Sequence, residues 1–440
     1  MHTIIHGDCL EELKKLEDNS VDAVVTDPPY GLSNTKPKQV ADVLKAWVTG
    51  DTVSVPAKRG GFMGKDWDSF VPPPAVWEEC MRVLKPGGHM AVFAGARTQD
   101  LMGLSIRLAG FEIRDTLGWI YGSGFPKSMD ISKAIDKAAG IEREVVGRYT
   151  SPDGRDRSAP SNGVGAVYGR DGREWNKAIT APTTSEAQRW DGWGTALKPA
   201  IEPIILARKP LVGTVAANVL AHGVGGLNID ACRVAADDKA KFPVGVVSET
   251  GTVYGGGEGI SADRPRTEDR NPAGRFPANV LLDEHAAKEM DKQSGVRQAG
   301  GYPASKGVKS SPGANGTMGG GWAGEYREHR ETTQPGGASR FFPVFKYQAK
   351  APKKERPVIE REDGTKVQHP TVKPLKLMEW LVTLITPEGG TVLDPFAGTG
   401  TTLQAATNKG FNPIGIEADA DYIQLIHQRM EGGAPSTRSS

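Results

Sequence analysis

The chain of 440 residues has 38% hydrophobic and 24% charged residues and a formal net charge of +1. Such a length and balance suit a globular protein of two or three domains, and they give no overall basic field that would mark a nucleic-acid binder. No apolar run is long enough to span a membrane, no signal peptide opens the chain, and Cys9, Cys80 and Cys232 form no Cys-x-x-Cys pair. A cytoplasmic protein without membrane, disulfide framework or metal is the expectation.

Thr3-Ile4-Ile5 reads as a strand and Leu10 to Leu16 as a helix. The aliphatic run from Val21 to Thr26 reads as a buried strand and delivers Asp27-Pro28-Pro29-Tyr30. Residues 31–74 form a long excursion with Trp47 and a glycine-rich stretch, read as a lid. Helical spacing returns from Val76 to Leu84, and a Lys85-Pro86-Gly87-Gly88 turn leads to a strand from His89 to Phe93. A helix from Thr98 to Ala109 and a strand from Phe111 to Tyr121 follow.

The middle is less regular. The chain's 55 glycines and 31 prolines concentrate there, and stretches 151–191 and 244–337 lack apolar periodicity, so long loops are expected. A helix from Ile131 to Ala139 and a strand from Ile201 to Ala207 stand out, with shorter pieces at 227–230 and 279–283. Trp175, Trp190, Trp193 and Trp322 fit either stacking beside arginines or anchoring a small core, and the sequence does not separate the two. From Arg340 to Lys376 ten basic residues face four acidic ones, which suits a solvated linker or a phosphate-contacting strip.

The end reads as alternating helix and strand. Leu377 to Ile385 is helical, Thr391-Val392-Leu393 is a strand, Thr401 to Asn408 a helix, and Pro413 to Ile416 a strand ending at Glu417. An amphipathic helix carrying Tyr422, Ile423, Leu425, Ile426 and Met430 closes the pattern. If that helix feeds the first strand, the two ends make one doubly wound, circularly permuted sheet with its termini close together.

Two motifs carry chemistry. Asp394-Pro395-Phe396-Ala397-Gly398-Thr399-Gly400 lies between a strand and a helix, where glycines permit close backbone approach to a ligand and Thr401 opens the helix. Glu417, at the end of the next strand, is placed to accept from ribose hydroxyls. At Asp27-Pro28-Pro29-Tyr30, a carboxylate and a rigid proline carbonyl can each accept one N–H of an amino group conjugated to a ring, while Tyr30 stacks on that ring. A base reaches such a corner only after leaving the duplex.

These motifs, catalytic corner first and glycine loop last, resemble the beta class of the amino-methylating DNA methyltransferases. The resemblance covers about the first 126 residues and the last 70, and extends more loosely between them. It implies a Rossmann-like class I methyltransferase fold that transfers a methyl group from S-adenosyl-L-methionine to N6 of a flipped-out adenine in double-stranded DNA. By the same resemblance, Asp27, Pro28, Pro29 and Tyr30 are catalytic. Asp8 and Cys9 then line the cofactor's adenine pocket, with Asp8 also suited to cap the following helix. Thr371 and Lys373, within His369-Pro370-Thr371-Val372-Lys373-Pro374, hold the cofactor's carboxylate, and Asp394, Phe396, Gly398, Gly400, Thr401 and Glu417 complete its site. Enzymes acting on cytosine N4 usually carry Ser in place of Asp27, so adenine is favoured, with N4-cytosine methylation and a non-catalytic DNA-binding protein as the alternatives. The expected organisation is a catalytic half (1–126), an insertion in contact with DNA (127–199), a core strand (200–210), a target-recognition region (211–345), a cofactor-binding half (346–430) and a flexible tail (431–440). Members of this class often dimerise, so a homodimer is expected; a restriction endonuclease partner is left open.

Overall fold

The computed structural model describes residues 2–33, 35–56, 68–122, 124, 128–148, 178–235, 274–296, 336–345, 357–361, 363–367 and 372–432. Strands β1 (Thr3–His6), β2 (Val21–Thr26), β3 (Leu84–Phe93) and β4 (Glu112–Ile120) come from the first part of the chain. The middle supplies β5 (Val145–Arg148), β6 (Ala178–Thr180), β7 (Ile201–Arg208), β8 (Val280–Asp283) and β9 (Val344–Phe345). The end supplies β10 (Ile359–Glu360), β11 (Lys366–Val367), β12 (Thr391–Asp394) and β13 (Asn412–Glu417).

Nine of these strands form one sheet in the order β1-β13-β12-β2-β3-β7-β4-β8-β9. Within it β7 alone runs against its neighbours. The doubly wound α/β sheet expected from the sequence is present. All six residues of β2 are buried, as a central parallel strand covered on both faces requires. Successive side chains alternate between the faces: Val24 packs with Val76, Trp77, Met102 and Ile106, whereas Val25 packs with Leu377, Leu381 and Ala405. Helices Pro74–Val83 and Gln99–Leu108 thus cover one face, and helices Leu375–Ile385 and Thr401–Asn408 the other. The two ends of the chain meet in this sheet. Thr3 pairs with Ile414, and the last helix, Ala420–Gly432, packs against β1.

Three features differ from the sequence reading. The excursion after Tyr30 is not lid alone: helix Pro37–Val48 sends Val43 and Trp47 into the main core, and Trp47 packs edge-on to Phe70. Helical spacing of Val40, Val43, Leu44 and Trp47 is enough to seat it there. The returning chain is fixed by buried Asp68, which accepts from the Gly31 N–H at 2.9 Å. The expected glycine-rich cover at 57–67 lies outside the described residues. Lys85 to Gly88, read as a turn, belongs to the irregular start of β3, where the register against β2 shifts.

The described parts of 211–345 are also joined to the core. β8 and β9 extend the sheet edge beyond β4, and Cys232 is buried against helix Leu375–Ile385, accepting from Trp380 through its carbonyl. The described part of the insertion builds a small unit from helix Ile131–Ala138 and the antiparallel pair β5 and β6. Its latch is Asp136, fully buried, which accepts from the backbone of Thr183 and Thr184 and lies 3.5 Å from Arg143. Trp190 and Trp193 meet edge-on and remain exposed, while Trp175 and Trp322 lie outside the described residues.

Candidate active site

The connections of the sheet reverse between β12 and β2. From β12 the chain winds through helix Thr401–Asn408 to β13 on one side, and from β2 it winds to β3 on the other. A crevice opens beyond the carboxyl ends of strands at such a reversal, and ligands bind there. Because β1, β13, β12 and β2 are parallel and in register, their carboxyl ends bring Asp8, Glu417, the 394–400 loop and Asp27 to one edge.

Gly398 and Gly400 have φ of 54° and 75°, a region that side-chain-bearing residues avoid. A Cβ on Gly400 would come 3.0 Å from Ile426. Glu417 organises this loop: its two oxygens accept from the N–H groups of Gly398 and Asp419, each at 2.8 Å. Burial pushes the Glu417 carboxyl up to about 7. Phe396 packs its ring against Trp77, and Thr401 begins the helix in a buried position. Asp394 is buried and turned inward, accepting from the Thr26 hydroxyl at 2.7 Å and the Phe396 N–H at 3.1 Å. Burial raises its carboxyl to about 6. Its visible work is to fasten the loop to the strand that carries Asp27.

On the neighbouring strand end, Asp8 caps helix Cys9–Leu13. One of its oxygens accepts from Leu10 and Glu11, and the side chain stays exposed at the crevice rim. Cys9 follows it, with burial pushing its thiol up to about 12.

The corner at Asp27 to Tyr30 gathers four charged or polar groups. Tyr30 Oη donates to Asp27 Oδ1 at 2.8 Å, with Glu202 farther away at 3.4 Å. Lys373 Nζ lies 3.0 Å from Asp27 Oδ2, 3.0 Å from Glu202 Oε2 and 2.9 Å from Tyr30 Oη. It also sits over the rings of Tyr30 and Phe93, 5.2 and 4.8 Å from their centroids. Burial opposes the Lys373 charge, but Asp27 and Glu202 together hold its ammonium above the ordinary lysine range. Burial and then the Asp27 charge push the Tyr30 phenol well up, so it remains a neutral donor. Pro28 is buried and Pro29 half-buried. The backbone after them is fixed by Thr98, whose hydroxyl donates to the Tyr30 carbonyl at 2.6 Å.

Lys373 therefore lies against Asp27 and Tyr30, the residues that the resemblance gives as catalytic; the same resemblance gives Lys373 itself to the cofactor's carboxylate. Lys373 also leaves the basic strip in which the sequence counted it, being only 9% exposed. Thr371 lies outside the described residues. Glu202 was missed altogether. Its signal was a lone acid in the apolar run Ile201 to Ala207, read only as a core strand. Among the described residues no group of three or more His, Cys, Asp or Glu could hold a metal ion, and no helix is long and apolar enough to cross a membrane.

A family model described as DNA methylase, covering N6 and N4 enzymes, matches residues 21–150 and 228–428. The chain belongs to this family. Both strand ends that build the corner and the glycine loop, at 27–30 and 394–400, fall inside the matched residues of this DNA methylase. Among curated relatives, the type II methyltransferase M2.DpnII of Streptococcus pneumoniae is 42% identical over 64 residues, 14% of this chain and 24% of that protein. The DNA adenine methyltransferase YhdJ of Escherichia coli K12 is 35% identical over 121 residues, 28% of this chain and 34% of that one. The type II methyltransferase M.HindIII of Haemophilus influenzae is 25% identical over 253 residues, 51% of this chain and 64% of its own length. Each of these matches spans less than two thirds of the relative.

Proposed function

We propose that this DNA methylase transfers a methyl group from S-adenosylmethionine to the N6 amino nitrogen of an adenine swung out of double-stranded DNA. One observation carries the reading: the Asp27–Tyr30 corner and the glycine loop stand at the ends of adjacent strands, joined by the Thr26–Asp394 hydrogen bond. Donor and acceptor sites are thereby held side by side.

The residues present fit the cofactor. The positive φ of Gly398 and Gly400 turns the loop tightly at the end of its strand, with no side chain at either position. Glu417 keeps a second lone pair on each oxygen for ribose hydroxyls, and the Asp8 oxygen not used in capping is free to accept from an adenine amino group. When bound, S-adenosylmethionine supplies a methyl carbon activated by its sulfonium, the C–S electron pair leaving with sulfur as the new bond forms.

The chain's own residues prepare the nucleophile. An adenine amino group is a poor nucleophile because its lone pair is delocalised into the ring. Asp27 is 24% exposed at its side chain and, with about four acceptor positions, can take one N–H beside its bonds to Tyr30 and Lys373. The Pro28 carbonyl takes the other N–H. This directs the nitrogen lone pair out of conjugation, and the proton the nitrogen sheds leaves by way of the Asp27 carboxylate. Tyr30 offers a ring face for stacking. Asp at position 27, rather than Ser, favours adenine over cytosine.

DNA contact is supported by an arginine–aromatic cluster from the 211–345 region. Arg233 lies over Phe276 at 5.9 Å, and Arg275 and Arg340 lie over Phe341 at 5.3 and 5.0 Å. Both rings are exposed, as suits stacking or backbone contact with a nucleic acid. A homodimer and a cytoplasmic location complete the reading.

The test is incubation of the full chain with methyl-labelled cofactor and unmethylated genomic DNA, which offers every short recognition sequence. Digestion and mass spectrometry should find N6-methyladenine. N4-methylcytosine would move the reading to the other base, and DNA binding without any transfer would favour the non-catalytic alternative.

A further inference from the structure

We infer that Glu202 is a positioning residue that balances the charge of Lys373, so that Asp27 keeps the net negative charge needed by an amino group acquiring positive charge. The inference rests on the methyltransferase reading above. It is carried by the geometry of the corner.

An ammonium has three N–H donors. Those of Lys373 match three acceptors: Asp27 Oδ2 at 3.0 Å, Glu202 Oε2 at 3.0 Å and Tyr30 Oη at 2.9 Å. The Lys373 side chain is 9% exposed, whereas those of Asp27 and Glu202 are each 24% exposed. The cation is therefore enclosed while both anions border the crevice. Tyr30 is neutral and donates a hydrogen bond to Asp27, so it changes the geometry without changing the charge. Asp27, Glu202 and Lys373 together carry one net negative charge.

That single charge matters at the reacting nitrogen. As the lone pair forms the N–C bond, with the C–S pair staying on sulfur, positive charge gathers on nitrogen until one N–H proton leaves towards Asp27. A corner made only of Asp27 and Lys373 would be neutral, and the ammonium would oppose the new charge at close range. Glu202 cancels the ammonium. Lys373 in turn fixes the orientations of Asp27 and Tyr30, which a lone pair of repelling carboxylates could not keep. The position of Glu202 on β7, the one antiparallel strand of the sheet, explains why its side chain comes to the catalytic ends of β2 and β3 from the opposite direction.

The substitution Glu202→Gln keeps the shape and an oxygen acceptor for Lys373 while removing the charge. It should lower kcat about ten- to a hundredfold, leave the Kd for S-adenosylmethionine unchanged and leave thermal unfolding nearly unchanged. Loss of the Glu202 charge, with Lys373, Tyr30 and Asp394 the other groups near Asp27, should also move the acid limb of the kcat–pH profile downward. The activity of Glu202→Asp should lie between those of wild type and E202Q. Wild-type kcat in E202Q, or a lowered kcat with an unmoved acid limb in a folded protein, overturns the inference and leaves the methyltransferase reading intact. A folded wild-type chain that binds the cofactor but methylates no DNA overturns both.

Discussion

The Thr26 hydroxyl donates a 2.7 Å hydrogen bond to the Asp394 carboxylate, joining two buried side chains 368 positions apart. Each belongs to the last residue of its strand, and each strand opens directly into one of the two functional motifs. The bond therefore sets the separation of the catalytic corner from the glycine loop. Thr26→Val keeps the side-chain shape but leaves Asp394 short of a donor. It should cost about 1–3 kcal/mol in urea unfolding and lower kcat more than it weakens cofactor binding.

Asp27→Asn keeps the size of the side chain and removes the charge that accepts the amino proton. Transfer should fall about a hundredfold or more. Cofactor affinity, measured by calorimetry, should stay near wild type because in the proposed reading Asp27 serves the base and not the cofactor. Substantial remaining activity would refute its assignment.

Gly400→Val places a branched side chain where φ is 75° and where even a Cβ would lie 3.0 Å from Ile426. Cofactor affinity should drop sharply, with a stability loss of about 1–2 kcal/mol from the left-handed backbone alone. DNA affinity measured without cofactor should hold. A parallel loss of both affinities would indicate unfolding instead.

The pH dependence of stability should contain two opposed terms. Burial raises Glu417 from 4.5 to about 7, so the folded chain holds a proton that the unfolded chain releases; this stabilisation is full below pH 4.5 and is lost as pH rises through 7. Asp394, raised to about 6, acts in the same direction. His89 acts in reverse: burial and the charges of Arg208 and Arg114 hold it down to about 4, so stability is full above pH 6.5 and lost as pH falls towards 4. Each group contributes at most about 1.4 kcal/mol per pH unit. Over pH 4.5 to 7.5 the two carboxyls outweigh the one histidine, so in urea unfolding stability should fall as pH rises; Glu417→Gln should flatten or invert that fall, and His89→Gln should steepen it.

What the sequence by itself determined is what short stretches of chain encode. Asp27 to Tyr30 and Gly398 to Gly400 are contiguous, their residue types dictate local backbone geometry, and the apolar periods around them mark the strands and helices that hold them. Even the joining of the two chain ends followed, because neither end could complete a sheet alone. The tertiary structure decided everything that depends on side chains meeting across long separations. A basic residue in a charged stretch reads as solvated until the fold buries it, and only packing put Lys373 between Asp27 and Glu202. A single acid in an apolar strand has no periodicity to mark its partner, so Glu202 stayed hidden. The core seat of helix Pro37–Val48 and the extension of the sheet by β8 and β9 likewise came from pairing energies that no local window contains. Burial and strand direction, set by the whole sheet, chose which of the motif's neighbours face the reaction.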